Sequence, residues 1–389
     1  MAKFLDRDRP PLPIVTRFVI ILLLWVLVYH ILTEFKTLFI PLVMGVLFAF
    51  LLHPVASLFE RWGVPRILSN LIAIFLGIGV VYGVLLFMQS QLSVLLDDLP
   101  ALRARASQNI DDLYMRLRNQ LGMADRGDRP PISTMIANAF NIGGDGMENT
   151  LRGTANTVVA IGIMPVYVFM FLYYRDKYVR FLLMLVSDKD HRIARRIARR
   201  ISTVTGKYMT GIFTVVLILC FVNSFGFWLI GLEYAVLLGI IAAICNFIPY
   251  FGTIIGYLIA LLFAFTTGSA DQAGMVVLQF FIVQFTENNI LTPNIVGGKV
   301  RINPFFVILA VITGGMVWGV AGMFVSVPLL GMMKVTCDVI PSLRPWSFLL
   351  GDRGTEAHAL TGAKIKRFFA FSKLAKEEHA GRADHRNGH

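Results

Sequence analysis

Apolar residues in this chain run in long blocks separated by short polar stretches. Blocks 18–34, 38–57, 68–90, 154–174, 211–231 and 273–291 each approach the roughly 20 apolar residues that a helix needs to cross a bilayer. Two further blocks, 234–268 and 304–338, are too long for one crossing and short for two, and both carry glycine or proline near the centre. The pattern predicts an all-α polytopic membrane protein with about six full spanning helices, two broken-helix hairpins and a polar helical insertion.

The insertion is segment 91–152. Leu92, Leu96, Leu99, Ala106, Ile110, Leu113 and Leu117 fall on a rough three-four spacing, which predicts an amphipathic helix broken or restarted at Pro100. Its apolar stripe packs either on its own domain or on a neighbouring subunit, and a homo-oligomer is expected. The second polar stretch, 175–210, holds ten Lys or Arg against three Asp. Basic excess in a short loop places it in the cytoplasm. Ile193, Ile197 and Ile201 line one face, and Arg192, Arg195, Arg196, Arg199 and Arg200 surround them, so the helix can contact anionic headgroups at the membrane surface. A solvated topogenic anchor is the plainer reading.

Composition agrees. The 389 residues are 56% hydrophobic and only 15% charged, against about a quarter charged in soluble domains. Net charge is +12, but the basic residues gather between and after apolar blocks, so topology rather than nucleic acid explains them. Cys220, Cys245 and Cys337 all lie in apolar stretches without ligand spacing, which argues against a disulfide framework or a metal site. The first apolar run has no small-residue cleavage site after it and reads as a retained helix. There is no phosphate-binding glycine loop and no enzyme constellation, and no cofactor is expected.

With 175–210 inside, the remaining topology can be counted. Helix 211–231 leads outward, block 234–268 leaves and returns to the outer face, helix 273–291 leads inward, and block 304–338 starts and ends inside. Helix plus hairpin occurs twice in opposite orientation, the pattern of an inverted repeat. The expected organisation is a three-helix membrane region 1–90, an extracytoplasmic segment 91–152, a spanning and basic helix 153–210, a transport core 211–342 and a tail 343–389, with both termini cytoplasmic.

The stretch "CNFIPYFGTIIG" places Asn246, Pro249, Tyr250 and Gly252 where the chain should be most apolar. Broken backbone at membrane depth is tolerated where protein or water surrounds it, so this is the tip of a hairpin or an interfacial turn. "GGMVWGVAG", with Gly314 and Gly315, is its counterpart. Gln284, Glu287 and Asn288, spaced three and four apart, put a carboxylate and two amides on one face of a spanning helix. A carboxylate there costs about 2.5 kcal/mol or more unless paired, protonated or hydrated. These residues can serve a monovalent cation and proton or a small polar solute; a structural hydrogen-bond cluster is the alternative. Asn223, on the preceding helix, is a possible helper.

The stretches "GLEYAVLLGIIAAICNFIPYFGTIIG", "TENNILTPNIVGG" (with Pro293), "GGMVWGVAG" and "FLYYRD" resemble the autoinducer-2 exporter family of PerM-like permeases, over about residues 15–338. Phe251-Gly252-Thr253 departs from the family, which often reads Ile-Gly-Pro there. The resemblance implies secondary transport in a bacterial inner membrane: export of a small autoinducer-2-like signal, or sodium or lithium/proton antiport. A membrane scaffold or sensor that binds a partner through 91–152 is the reading from a different class.

Overall fold

The structure, a computed structural model, describes residues 13–121, 154–249, 251–297 and 302–352. Among them are eleven α-helices and no strand: α1 (Ile14–Glu34), α2 (Lys36–Arg61), α3 (Arg66–Leu121), α4 (Thr154–Tyr173), α5 (Arg175–Met184), α6 (His191–Ile230), α7 (Ala235–Cys245), α8 (Phe251–Thr267), α9 (Ala270–Thr286), α10 (Pro304–Val339) and α11 (Arg344–Leu350). Five stretches are long and apolar enough to cross a membrane: Val15–Glu34, Lys36–Arg61, Arg66–Leu95, Asp188–Ile230 and Pro304–Val339. Their outward faces carry exposed Phe18, Trp25, Phe75, Phe221 and Trp228, as expected where lipid is the solvent. The chain is an all-α polytopic membrane protein.

Two long helices differ from the sequence expectation. α3 runs through Pro100 without a break: a proline removes one backbone donor, a local loss that a long helix can absorb. The basic stretch and the next crossing fuse into the 40 residues of α6, about 60 Å of helix. That is about twice a hydrocarbon core of ~30 Å, so its arginine-rich start projects beyond the bilayer. α6 stops at Gly231, whose φ of 80° suits the left-handed end of a helix.

α7 and α8 form the first hairpin, joined by a turn through Asn246–Pro249. The two arms meet closely because Gly252 has no side chain: a Cβ there would sit 1.7 Å from the Cys245 carbonyl oxygen. α10 is the second hairpin. It folds back at Trp318 and Gly319, where glycine takes φ 60° and ψ −138°, and Gly314 lies against Gly322, whose Cβ would meet the Gly314 carbonyl oxygen at 1.9 Å. Both blocks of excessive apolar length thus resolve into paired helices. The hairpins touch through the rings of Phe247 and Phe324, 5.6 Å apart and nearly perpendicular. The Trp318 indole N–H donates to the Leu32 carbonyl (2.9 Å), which sets the second tip beside the end of α1.

The buried core follows these pairings. Val215, Leu219 and Phe227 of α6, Leu238 and Ala242 of α7, Tyr257, Ala260 and Ala264 of α8 and Val276 of α9 form one cluster, with small residues admitting close helix approach. A second cluster joins Leu47 of α2, Met209 of α6 and Phe324 and Val325 of α10.

Polar ties hold the ends. Arg105 of α3 pairs with Glu233 at 3.2 Å, and the Asn109 amide donates to the carbonyls of Thr266 (2.9 Å) and Gly268 (3.1 Å). The Tyr234 hydroxyl donates to Asp98. Burial, reinforced by that bond, pushes the Tyr234 phenol up to about 12. The C-terminal half of α3 therefore holds both loops that bound the first hairpin. At the opposite end Arg66 bonds Asp176 (2.7 Å) and the Leu172 carbonyl (3.0 Å), and Arg175 bonds Glu60 (2.5 Å). The Arg66 bond holds the Asp176 carboxyl below its ordinary range.

Candidate functional site

The first hairpin ends at Asn246, which α7 carries to the bundle interior; the side chain is 9% exposed. Its amide nitrogen donates to one carboxylate oxygen of Glu287 at 2.8 Å. The Thr253 hydroxyl, two residues into α8, donates to the Asn246 carbonyl oxygen at 2.8 Å. Asn246 is thereby fixed from both ends: an acceptor from Thr253 on one side, a donor to the acid on the other. Glu287 is 8% exposed, and its second carboxylate oxygen, also buried, has no hydrogen-bond partner among the described residues.

The backbone around Glu287 is unusual. α9 starts at Ser269 with a reciprocal cap, Ser269 with Gln272, runs regularly to Thr286, and then widens into π-helical turns at Glu287–Leu291 and Pro293–Gly297. Such turns bond five residues apart instead of four and recur at functional sites. They also shift which side chains share a face.

A second buried polar group lies one turn along the same helices. The Tyr257 hydroxyl donates to the Asn223 side-chain oxygen at 2.7 Å, and the Gln279 amide reaches the Asn223 backbone carbonyl at 3.3 Å. Gln279 can lie flat on α6 because Gly226 faces it; a Cβ there would stand 2.3 Å from its nitrogen. Thr253 and Tyr257 are four apart on α8, and Glu287, at the π-helical turn just after α9, is eight residues beyond Gln279. Together they make a polar seam between α6, α8 and α9.

The residues singled out from the sequence fall into separate places. Asn246 and Glu287 meet directly, Asn223 belongs to the neighbouring group, and Gly252 and Pro249 shape the hairpin turn. Gln284 is half-buried and Asn288 exposed; with Phe281, Phe285 and Asn289 they line a groove of about 570 Å³ on the outer side of α9. Pro293 is exposed and opens the second π-helical stretch. Gly314 and Gly315 sit in the second hairpin, against Gly322 and Met323. The five arginines line a different groove on α6. Tyr250 lies outside the described residues, as do much of the polar insertion and the tail from 353. Thr253 and Tyr257 carry the seam without having been singled out; the signal was their spacing of four just after a helix break.

The structure is thus an all-α membrane bundle with two hairpins and a buried acid between helices, and the comparisons with known proteins give its class. The chain belongs to the AI-2E transporter family, whose sequence model matches residues 18–342. It is similar to YrrI of Bacillus subtilis, with 31% identity over 303 residues that cover 77% of this chain and 86% of YrrI. It is also similar to YueF of the same organism, at 24% identity over 77% of this chain and 83% of YueF. A Borreliella burgdorferi protein matches at 24% identity over 81% of this chain and 85% of its own. All three are described as candidate transport proteins.

Proposed function

We propose that this protein is a secondary transporter that exports a small polar solute of the autoinducer-2 type across a bacterial inner membrane by alternating access. Glu287 is the group that takes up and releases the coupling proton or monovalent cation. The observation that carries this reading is the half-paired carboxylate: one oxygen is held by Asn246 at a helix break, and the other is buried without a partner.

An ionised carboxylate within a membrane costs about 2.5 kcal/mol or more, and a purely structural one is expected to have both oxygens satisfied. A proton or a small cation on the free oxygen removes that cost. The 11 residues of α7 span about 16 Å, roughly half of a ~30 Å core, which favours a site near mid-depth. Hairpins that follow α6 and α9 in opposite directions supply the inverted frame that alternating access uses. The unpaired oxygen also favours a second reading, in which a sodium or lithium ion is itself the cargo, exchanged for a proton. The scaffold reading gains less support, because the C-terminal half of α3 is engaged by loops of its own chain.

Proteoliposomes with an internal pH dye test the proposal. Sodium, lithium or a furanone solute is added to vesicles carrying wild type or Glu287→Gln. Transport present in wild type and lost in Glu287→Gln supports the reading. Equal transport by both overturns the role of Glu287, and none by either, under several gradients, moves the weight to a scaffold.

A further inference from the structure

The strongest unexplained feature lies at the far end of α6 from Glu233. Arg192, Arg195, Arg196, Arg199 and Arg200, with Thr203 and Val204, form one wall of a groove of about 690 Å³, and Val335 and Asp338 of α10 form part of the other. Arg192, Arg195, Arg196, Arg199 and Arg200 are linked by steps of three and four, so the guanidiniums share one broad helix face. None of the five has a hydrogen-bond or ion-pair partner among the described residues. Among the described residues the one carboxylate lining the groove, Asp338, is already engaged by Lys334 and by the Ser347 hydroxyl.

Five like charges over little more than two helical turns repel one another and weaken the helix. An anion held between this face and α10 would relieve that repulsion. The surroundings indicate which anion. This part of α6 projects beyond the length needed for a crossing, and adjacent α5 exposes Phe181, Leu182 and Met184, with Leu185 just after it, at the same end, a pattern of apolar residues at a membrane surface. Arginine forks match phosphate oxygens two at a time.

We propose that this groove is a binding site for the phosphate headgroup of an anionic phospholipid, clamped between α6 and the second arm of the α10 hairpin. The site is separate from Glu287 and stands whether or not that residue couples transport.

The test uses the full chain in a zwitterionic micelle, titrated with short-chain phosphatidylglycerol, short-chain phosphatidylcholine or inorganic phosphate and read by the shift in unfolding temperature. The expected result is saturable stabilisation by phosphatidylglycerol alone. In Arg195→Gln/Arg196→Gln/Arg199→Gln its apparent affinity falls on the order of a hundredfold, while Arg180→Gln, an exposed arginine of α5 outside the groove, retains it. These side chains are exposed, so the variants leave the core intact. Equal stabilisation by inorganic phosphate overturns the lipid assignment in favour of a free anion. An equal loss in Arg180→Gln shows diffuse surface charge, and no response in wild type removes the site; either outcome overturns the proposal.

Discussion

Asn246 and Glu287 lie 41 positions apart in the chain and 2.8 Å apart in space, the amide of a hairpin tip donating to the acid of a helix that widens at that point. The bond joins two features that depart from regular helix, the turn of the first hairpin and the π-helical start at Glu287. Disturbing either partner should therefore affect both the stability of the hairpin and whatever passes it.

Replacing Asn246 with leucine keeps the volume but strips Glu287 of its donor. The cost expected for leaving a buried polar group unpaired is about 1–3 kcal/mol, and more where the group is charged. Glu287→Gln, which removes the charge and keeps an acceptor, should cost less in stability yet abolish cation-linked flux. Thermal unfolding of the two variants, measured beside their transport, separates these effects.

The hairpins depend on backbone contact at glycine. Gly252→Ala and Gly322→Ala place a methyl inside the van der Waals radius of a carbonyl oxygen, at 1.7 and 1.9 Å, and should destabilise by roughly 1–3 kcal/mol or more. Gly274→Ala, in α9 with nothing within 4 Å, should be neutral or stabilise by about 0.5–1 kcal/mol. Yields of monodisperse protein and unfolding temperatures should be lower for Gly252→Ala and Gly322→Ala than for Gly274→Ala.

The brace from α3 to the hairpin loops has unequal parts. Arg105 and Glu233 are both about half exposed, so their pair is worth about 1 kcal/mol or less. Asn109 satisfies two loop carbonyls at once. Asn109→Ala should raise amide exchange in the 266–269 loop more than Arg105→Ala does. An equal or reversed ranking would show that charge, rather than the amide bridge, holds the loop.

The Arg66–Asp176 tie predicts a pH dependence. The Arg66 bond lowers the Asp176 carboxyl below its ordinary value of 3.8. A depressed folded-state value means that the added stability is complete above that ordinary value and is lost as pH falls through the folded one. Asp176 is 65% exposed, so solvent screening keeps the contribution small. Wild type should exceed Asp176→Asn slightly in unfolding temperature at neutral pH, and the gap should close only in strong acid.

Much of this molecule is legible in its sequence because burial in lipid is written as block length. The two overlong blocks, broken at Asn246–Pro249 and at Gly314–Gly322, announce hairpins before any coordinates are known. The partnership of Asn246 with Glu287 is not legible in the same way, since hydropathy says that both are costly but not which helices face each other. Spacing placed Gln284, Glu287 and Asn288 on one face; the π-helical turns change that register, so Glu287 points inward and Asn288 stays exposed. Thr253 is not legible because a threonine hydroxyl in an apolar helix can bond its own backbone, as Thr266 does with the Leu262 carbonyl, and Tyr257 because its ring reads as ordinary packing. Only the fold shows that Thr253 bonds Asn246 instead.

Under the alternating access proposed above, the buried cluster of Asn246, Thr253 and Glu287 becomes open to water from each side of the membrane in turn. Thr253→Cys, in a chain whose Cys220, Cys245 and Cys337 are replaced by alanine, reports this through reaction with a membrane-impermeant thiol reagent applied to either face of sealed vesicles. Alternating access predicts labelling from both faces, with a transported cation or solute slowing one and not the other. Labelling from one face only, or from neither, would contradict it and leave the cluster as a structural bond within a closed bundle.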